Sequence, residues 1–127
     1  MDSMYREILI DKYKNPVHKK KLLAFDLHKV DSNPLCGDSI EVFLKVDSNN
    51  IIVDASFEGK GCVISMASAD LLLDFIIGKS IDEVYDLSRD DMLDLLSLEL
   101  THSRIKCAML ALQAIKKSII EFKGKSD

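Results

Sequence analysis

Residues 40–77, IEVFLKVDSNNIIVDASFEGKGCVISMASADLLLDFII, change their hydrophobic period halfway along, and that change decides the fold. In the first half Ile40, Val42, Leu44 and Val46 alternate with Glu41, Phe43 and Lys45, a period of two with Phe43 as the one apolar exception. Asp47-Ser48-Asn49-Asn50 is a cluster of turn formers. Strands over 40–46 and 51–57, joined as a hairpin, follow. Past Gly61 the alternation stops. Residues 62–77 are apolar nearly throughout, with Asp70 and Asp74 one turn apart, which predicts a largely buried helix with one polar face, ended by Gly78.

Working outward, residues 24–30 read as a third strand and residues 3–14 as a helix with Met4, Ile8 and Leu9 inward. Asn15-Pro16 stops that helix, because the residue before a proline is pushed out of helical geometry. Downstream, Ser80 caps a short helix over 81–87 and Ser88 another over 89–98. A last helix over 103–122 carries Ile105, Ala108, Leu112, Ile115, Ile119 and Phe122 on one stripe, with Lys106, Gln113, Lys116 and Lys117 off it. Strands early and helices late predict a single α+β domain over residues 1–127, with helices on one face of a small three-stranded antiparallel sheet.

Composition narrows the function classes. Hydrophobic residues are 47% of the 127 and charged residues 30%, proportions of a folded globular chain. The net charge of −4 and the lack of a basic stripe interleaved with aromatics argue against nucleic acid. Lys19-Lys20-Lys21 is the one dense positive patch, either a solvated turn or a dock for an acidic partner. No apolar run reaches the ~18 residues of a membrane span, and residues 1–10 lack a signal-peptide core, so a cytoplasmic location is expected. There cysteines stay reduced, and three of them read as metal-bound or reactive rather than disulfide-bonded.

Each cysteine stands at a junction of elements: Cys36 in Asn33-Pro34-Leu35-Cys36-Gly37-Asp38, Cys62 after Gly59-Lys60-Gly61, and Cys107 in the expected first turn of the last helix, after Ser103-Arg104-Ile105-Lys106. A helix N-terminus favours the thiolate, the form that binds metal and attacks sulfur. One cysteine in a buried helix is ordinarily packing. The spacing adds little: 25 residues separate Cys36 from Cys62 and 44 separate Cys62 from Cys107, with no C-x-x-C pair. His18 and His28 have no ligand spacing, and His102, five residues before Cys107, reads as a surface residue at a helix start. Lys106 is better placed to act, since a cation beside a thiolate lowers its pKa.

The three segments, in this order, resemble the U-type iron–sulfur scaffold family: IscU, SufU and the N-terminal domain of NifU. Tyr13-Lys14-Asn15-Pro16, residues 54–59 and residues 61–69 extend the likeness over nearly the whole chain. The resemblance implies an IscU/SufU-like fold and four ligands, Cys36, Asp38, Cys62 and Cys107. It implies zinc, or iron in a transient [2Fe–2S] cluster, at those ligands. It further implies a cysteine desulfurase as partner, Cys36 or Cys107 as persulfide acceptor, and apo iron–sulfur proteins as recipients. Three thiolates and a carboxylate suit tetrahedral zinc, and thiolates suit iron–sulfur clusters. A carboxylate, the harder partner for iron, keeps such a cluster labile. The reading is a scaffold or acceptor rather than a self-sufficient enzyme, with a zinc-dependent sulfurtransferase that activates the desulfurase as the rival. The chain has Lys106 where the IscU branch has histidine, and lacks that branch's Leu-Pro-Pro-Val-Lys segment. The resemblance therefore implies no dependence on the dedicated Hsp70 chaperone. Arg104-Ile105-Lys106-Cys107 is similar to the SufU branch, without that branch's usual insertion between the second and third cysteines.

Overall fold

The computed structural model describes residues 3–34, 37–96 and 102–126, and the side chains within them except those of residues 3–6, 102, 103 and 126. The elements are α1 (Ser3–Lys14), β1 (Leu27–Asn33), β2 (Asp38–Val46), β3 (Ile52–Lys60), α2 (Val63–Ile76), α3 (Ile81–Tyr85), α4 (Arg89–Leu96) and α5 (His102–Ser126). The strands form one antiparallel sheet in the order β1-β2-β3. Leu27 pairs with Leu44 and Asn33 with Asp38 across one ladder, and Ile40 pairs with Gly59 and Val42 with Phe57 across the other.

The hairpin turn is built by Asp47, whose carboxylate accepts the amides of Asn49 (2.8 Å) and Ile51 (3.0 Å) while Asn50 takes a φ of 60°. Asparagine tolerates that left-handed conformation better than most residues. Side chains alternate as period two requires: Ile40, Val42 and Leu44 are buried beneath the helices. The apolar exception, Phe43, is also buried, but on the opposite face. There Phe25 and His28 stack against it at ring separations of 5.2 and 4.9 Å.

This packing explains a shift in the first strand. Expected over 24–30, β1 occupies Leu27–Asn33. Phe25 leaves the ladder to cover Phe43, and the Asp26 carboxylate accepts the Val46 amide at 2.9 Å. At its other end β1 keeps polar residues, because backbone pairing with β2 and the Asp31–Lys117 ion pair at 2.8 Å hold them.

Helices α2 and α5 lie together on one face of the sheet, α5 over β1 and β2 and α2 against β3, with α1 packed on α2. On α5, Ala108, Leu112, Ile115 and Ile119 are fully buried, as the stripe predicts. Burying each of the larger ones contributes about 1.5–3 kcal/mol before entropic costs. Ser80 caps α3 through a reciprocal pair with Glu83. Ser88 caps α4 likewise, accepting the Asp91 amide at 3.1 Å while Asp91 accepts the Ser88 amide at 2.8 Å. Of the residues expected in α4, 97 and 98 lie outside the described residues. In α1, Leu9 is the buried residue and Ile8 is 41% exposed, opposite to the inward placement expected for Ile8. The Met4 side chain is outside the described set.

The larger correction concerns α2. Asp70 is not on a solvated face: it is 0% exposed. Its Oδ1 accepts the His18 amide at 2.7 Å, and the Lys12 ammonium lies 3.2 Å from Oδ2, close enough for charge pairing though outside hydrogen-bond geometry. Asp74, one turn on, takes a hydrogen bond from Lys12 and meets His18 Nε2 at 2.5 Å. The His18 carbonyl in turn accepts the Phe57 amide of β3 at 2.9 Å. Helix α1 and the loop after it are thereby fastened to α2 and to the sheet edge.

Candidate metal centre

Three of the four expected ligands lie in described residues, and the fold brings those three together. Asp38 opens β2 on the same side as Ile40 and Val42, so its carboxyl points under the helices and is 4% exposed. It follows a tight turn in which Gly37, at a φ of +71°, donates its amide to Asn33 O at 3.0 Å. Cys62 is the N-cap of α2, in extended geometry, and its Sγ accepts the Ser65 amide at 3.4 Å. Cys107 is 3% exposed on α5. The ligand atoms of Asp38, Cys62 and Cys107 all lie within 4.8 Å of one another. Among the described residues, no other group of three or more His, Cys, Asp or Glu side chains converges in this way. Cys36, two residues before Asp38, lies outside the described residues.

Glycines make the convergence sterically feasible. A Cβ on Gly59 would stand 2.3 Å from the Ser39 carbonyl oxygen, so only glycine lets β3 approach β2 there. A Cβ on Gly61 would stand 2.3 Å from Ser65 Oγ and 3.0 Å from the Asp38 carboxyl carbon. The chain entering α2 therefore passes flush against the carboxyl group.

The charge balance at this cluster is incomplete. Asp38 Oδ2 is buried and has no hydrogen-bond partner. An unanswered buried carboxylate oxygen costs about 1–3 kcal/mol or more. A cation held by the two sulfurs and the carboxylate removes that cost. The donor set fits zinc, which takes cysteine sulfur and carboxylate oxygen in tetrahedral sites. It equally fits iron with sulfide, which thiolates hold.

One expected feature changes. Because α5 starts at His102, Cys107 is its sixth residue and stands in the second turn, not the first. The free amides of a helix start are spent by then, so the helix-end argument for a thiolate holds for Cys62 and fails for Cys107. Lys106 is exposed and lines a shallow depression with Ser32, Asn33, Pro34 and Gln113. His18 and His28 lie away from the cluster, His18 with Asp74 and His28 with Glu41 at 2.6 Å. The residue that the sequence reading passed over is Ser65. Its signal was the i, i+3 spacing from Cys62, the spacing of a cap and the amide it accepts.

Such a sheet, with helices on one face and a carboxylate and two cysteines brought together, defines a class of small α+β domains with a candidate metal site. Residues 4–127 match the family described as NifU-like N terminal domain, and the chain belongs to that family. A Bacillus subtilis protein named zinc-dependent sulfurtransferase SufU is 38% identical, over 98% of this chain and 95% of that protein. The Escherichia coli K12 protein named iron-sulfur cluster assembly scaffold protein IscU is 35% identical over 97% of each. Among solved structures, a NifU-like N-terminal protein from Brucella abortus superposes with a TM-score of 0.78 at 19% identity, over 98% of this chain and 97% of that one. A SUF-system scaffold protein, described as putative, from Fervidobacterium islandicum gives 0.76 at 23%, over 94% and 99%. At those identities the two structures speak to the fold alone.

Proposed function

We propose that this protein is an iron–sulfur cluster assembly scaffold. It accepts persulfide sulfur from a cysteine desulfurase, assembles a [2Fe–2S] cluster as cargo, and passes it to apo-proteins. The observation that carries the reading is the cluster of Asp38, Cys62 and Cys107, with a buried carboxylate oxygen that has no hydrogen-bond partner. Cys36 is assigned as the fourth ligand, on the motif it shares with Asp38.

Cys36 or Cys107 receives the sulfur. Its thiolate attacks the terminal sulfur of the desulfurase persulfide, a new S–S bond forms, the old one breaks, and the desulfurase thiolate leaves. The desulfurase makes the sulfane sulfur, so this chain acts as acceptor and template rather than as an independent enzyme. Cys107, at 3% exposure, reacts with a bulky donor only after local opening. Asp38 supplies a hard oxygen ligand that leaves the cluster free to depart.

A second reading has its own support. The Bacillus relative carries the name of a zinc-dependent sulfurtransferase, and its identity to this chain is as high as that of the scaffolds. In that case zinc occupies the same four residues and the chain speeds the desulfurase without building a cluster.

Anaerobic reconstitution separates the two. The protein, a cysteine desulfurase, cysteine, ferrous iron and a thiol reductant, which brings the sulfane sulfur down to sulfide, are mixed, then apo-ferredoxin is added, with Cys→Ser variants at 36, 62 and 107 alongside. A [2Fe–2S] chromophore that forms, moves to ferredoxin and is absent from the variants is the expected result. Retained zinc at one per chain, with faster desulfurase turnover and no chromophore, establishes the sulfurtransferase instead.

A further inference from the structure

The residue most intimately tied to the cluster without being one of its ligands is Ser65. It is 1% exposed and makes three contacts with Cys62. Its amide donates to Cys62 Sγ at 3.4 Å, its hydroxyl donates to the Cys62 carbonyl at 3.1 Å, and the Cys62 thiol reaches its Oγ at 3.6 Å. The hydroxyl is also wedged against Gly61: the place a Gly61 Cβ would take lies 2.3 Å from Ser65 Oγ and 3.0 Å from the Asp38 carboxyl carbon. One buried hydroxyl thus stands beside a sulfur of the proposed site, and Gly61 leaves room for both that hydroxyl and the Asp38 carboxyl.

We propose that Ser65 is a positioning residue for the Cys62 sulfur, fixing its direction toward Asp38 and Cys107 and donating a hydrogen bond to it once metal is bound. The proposal rests on the metal-binding reading above. A sulfur coordinated to a metal carries no proton. The thiol that now reaches toward Ser65 Oγ then becomes an acceptor, and the hydroxyl turns its own proton from the Cys62 carbonyl to Sγ. Two donors from one residue, amide and hydroxyl, then converge on this sulfur. Hydrogen bonds to a ligating sulfur draw electron density from it and alter the metal's spectrum and potential. Groups in this position typically change metal affinity 10–100-fold when removed.

Ser68 provides the control. It lies on the same helix, is 0% exposed, and its Oγ has no partner, so its removal reports on packing in α2 without touching Cys62. The experiment measures cobalt(II) absorption and zinc competition with a chromophoric chelator on the full chain, comparing wild type, Ser65→Ala and Ser68→Ala. Expected is one cobalt per wild-type chain with a sulfur-to-metal charge-transfer band. In Ser65→Ala that band moves to lower energy and zinc binds about tenfold more weakly, while Ser68→Ala matches wild type in both. A wild type with no such band overturns the metal reading itself. A normal wild-type band, with Ser65→Ala unchanged or Ser68→Ala altered as far, overturns the assignment of Ser65 alone.

Discussion

Two carboxylates are buried in this small domain, and they are treated in opposite ways. Asp70, 0% exposed in the middle of α2, is answered from within: the Lys12 ammonium lies 3.2 Å away and the His18 amide donates at 2.7 Å. Asp38, 4% exposed at the start of β2, has the same helix's N-cap, Cys62, within its cluster and an oxygen with no hydrogen-bond partner. A buried charge needs compensation. At Asp70 the chain carries the counter-charge in its own N-terminal helix; at Asp38 the proposed reading gives that role to a bound ion. The first carboxylate belongs to the architecture of the fold, and the second is the one proposed to serve its chemistry.

The contrast is broken most forcefully by metal. If Asp38 and the thiolates await a cation, zinc at a thousand times its dissociation constant stabilises the fold by about 4 kcal/mol. Calorimetry in chelator and in zinc then shows well separated melting temperatures, and amide exchange slows around residues 33–38 and 59–62. Coincident melts sink the idea.

Removing Lys12 attacks the other carboxylate. Lys12→Ala strands Asp70 and costs about 3 kcal/mol in urea unfolding, with zinc stoichiometry unchanged. Pairing it with Asp70→Asn recovers part of that loss. A cost no larger than that of an ordinary exposed lysine means that Asp70 does not depend on Lys12.

Asp38→Ala should act with the opposite sign on the apo protein. Deleting an unanswered carboxylate leaves stability unchanged or raises it by about 1 kcal/mol, while weakening zinc and slowing release of a bound cluster. Faster release in the variant contradicts the role given to the carboxylate.

The smallest effect is on pH. Burial opposes the Asp74 carboxylate, but hydrogen bonds and charge from Lys12 and His18 outweigh it and hold its pKa below the ordinary value. Burial likewise opposes the Lys12 ammonium, and Asp74 and Asp70 outweigh it and raise its pKa. A lowered carboxylate stabilises above its unfolded pKa and loses that contribution as pH falls through the folded one. The raised lysine stabilises below its unfolded pKa and loses its share as pH climbs through the folded one. The fastening of α1 is therefore intact at neutral pH and loosens in acid. Since Asp74 is 41% exposed, solvent screening limits its part to under about 1 kcal/mol. Asp74→Asn should flatten the acid limb of a stability profile, as pH falls through and below the ordinary aspartate value of about 4, by that amount.

Periodicity made most of this fold legible. The hairpin, the buried α2, the serine caps and the stripe of α5 all express local rules, and all stand within a few residues of where the sequence put them. What local rules could not supply was the partner of each polar residue. Asp70 sits four residues before Asp74 on α2, and nothing in that spacing says that Lys12, 58 positions upstream, fills the space above it. Phe43 broke the alternation because Phe25 and His28, from a different segment, cover it. At the candidate site the expected ligands came from family resemblance rather than spacing, and the structure adds that Asp38, Cys62 and Cys107 converge. The supporting Ser65 was hidden because a serine three residues into a helix is unremarkable until its neighbours are known.

Cys107 lies on α5, the last element in chain order, and its 3% exposure comes from packing that involves both the sheet and α2. A chain emerging from the ribosome therefore presents Asp38 and Cys62 well before it presents the third converging ligand. Until α5 is made and docked, a passing ion finds only an incomplete site, and the sheet face that α5 covers stays bare. The docking of α5 that closes the core also brings the third converging residue to the proposed site, so a chain truncated before α5 is expected to bind metal more weakly there.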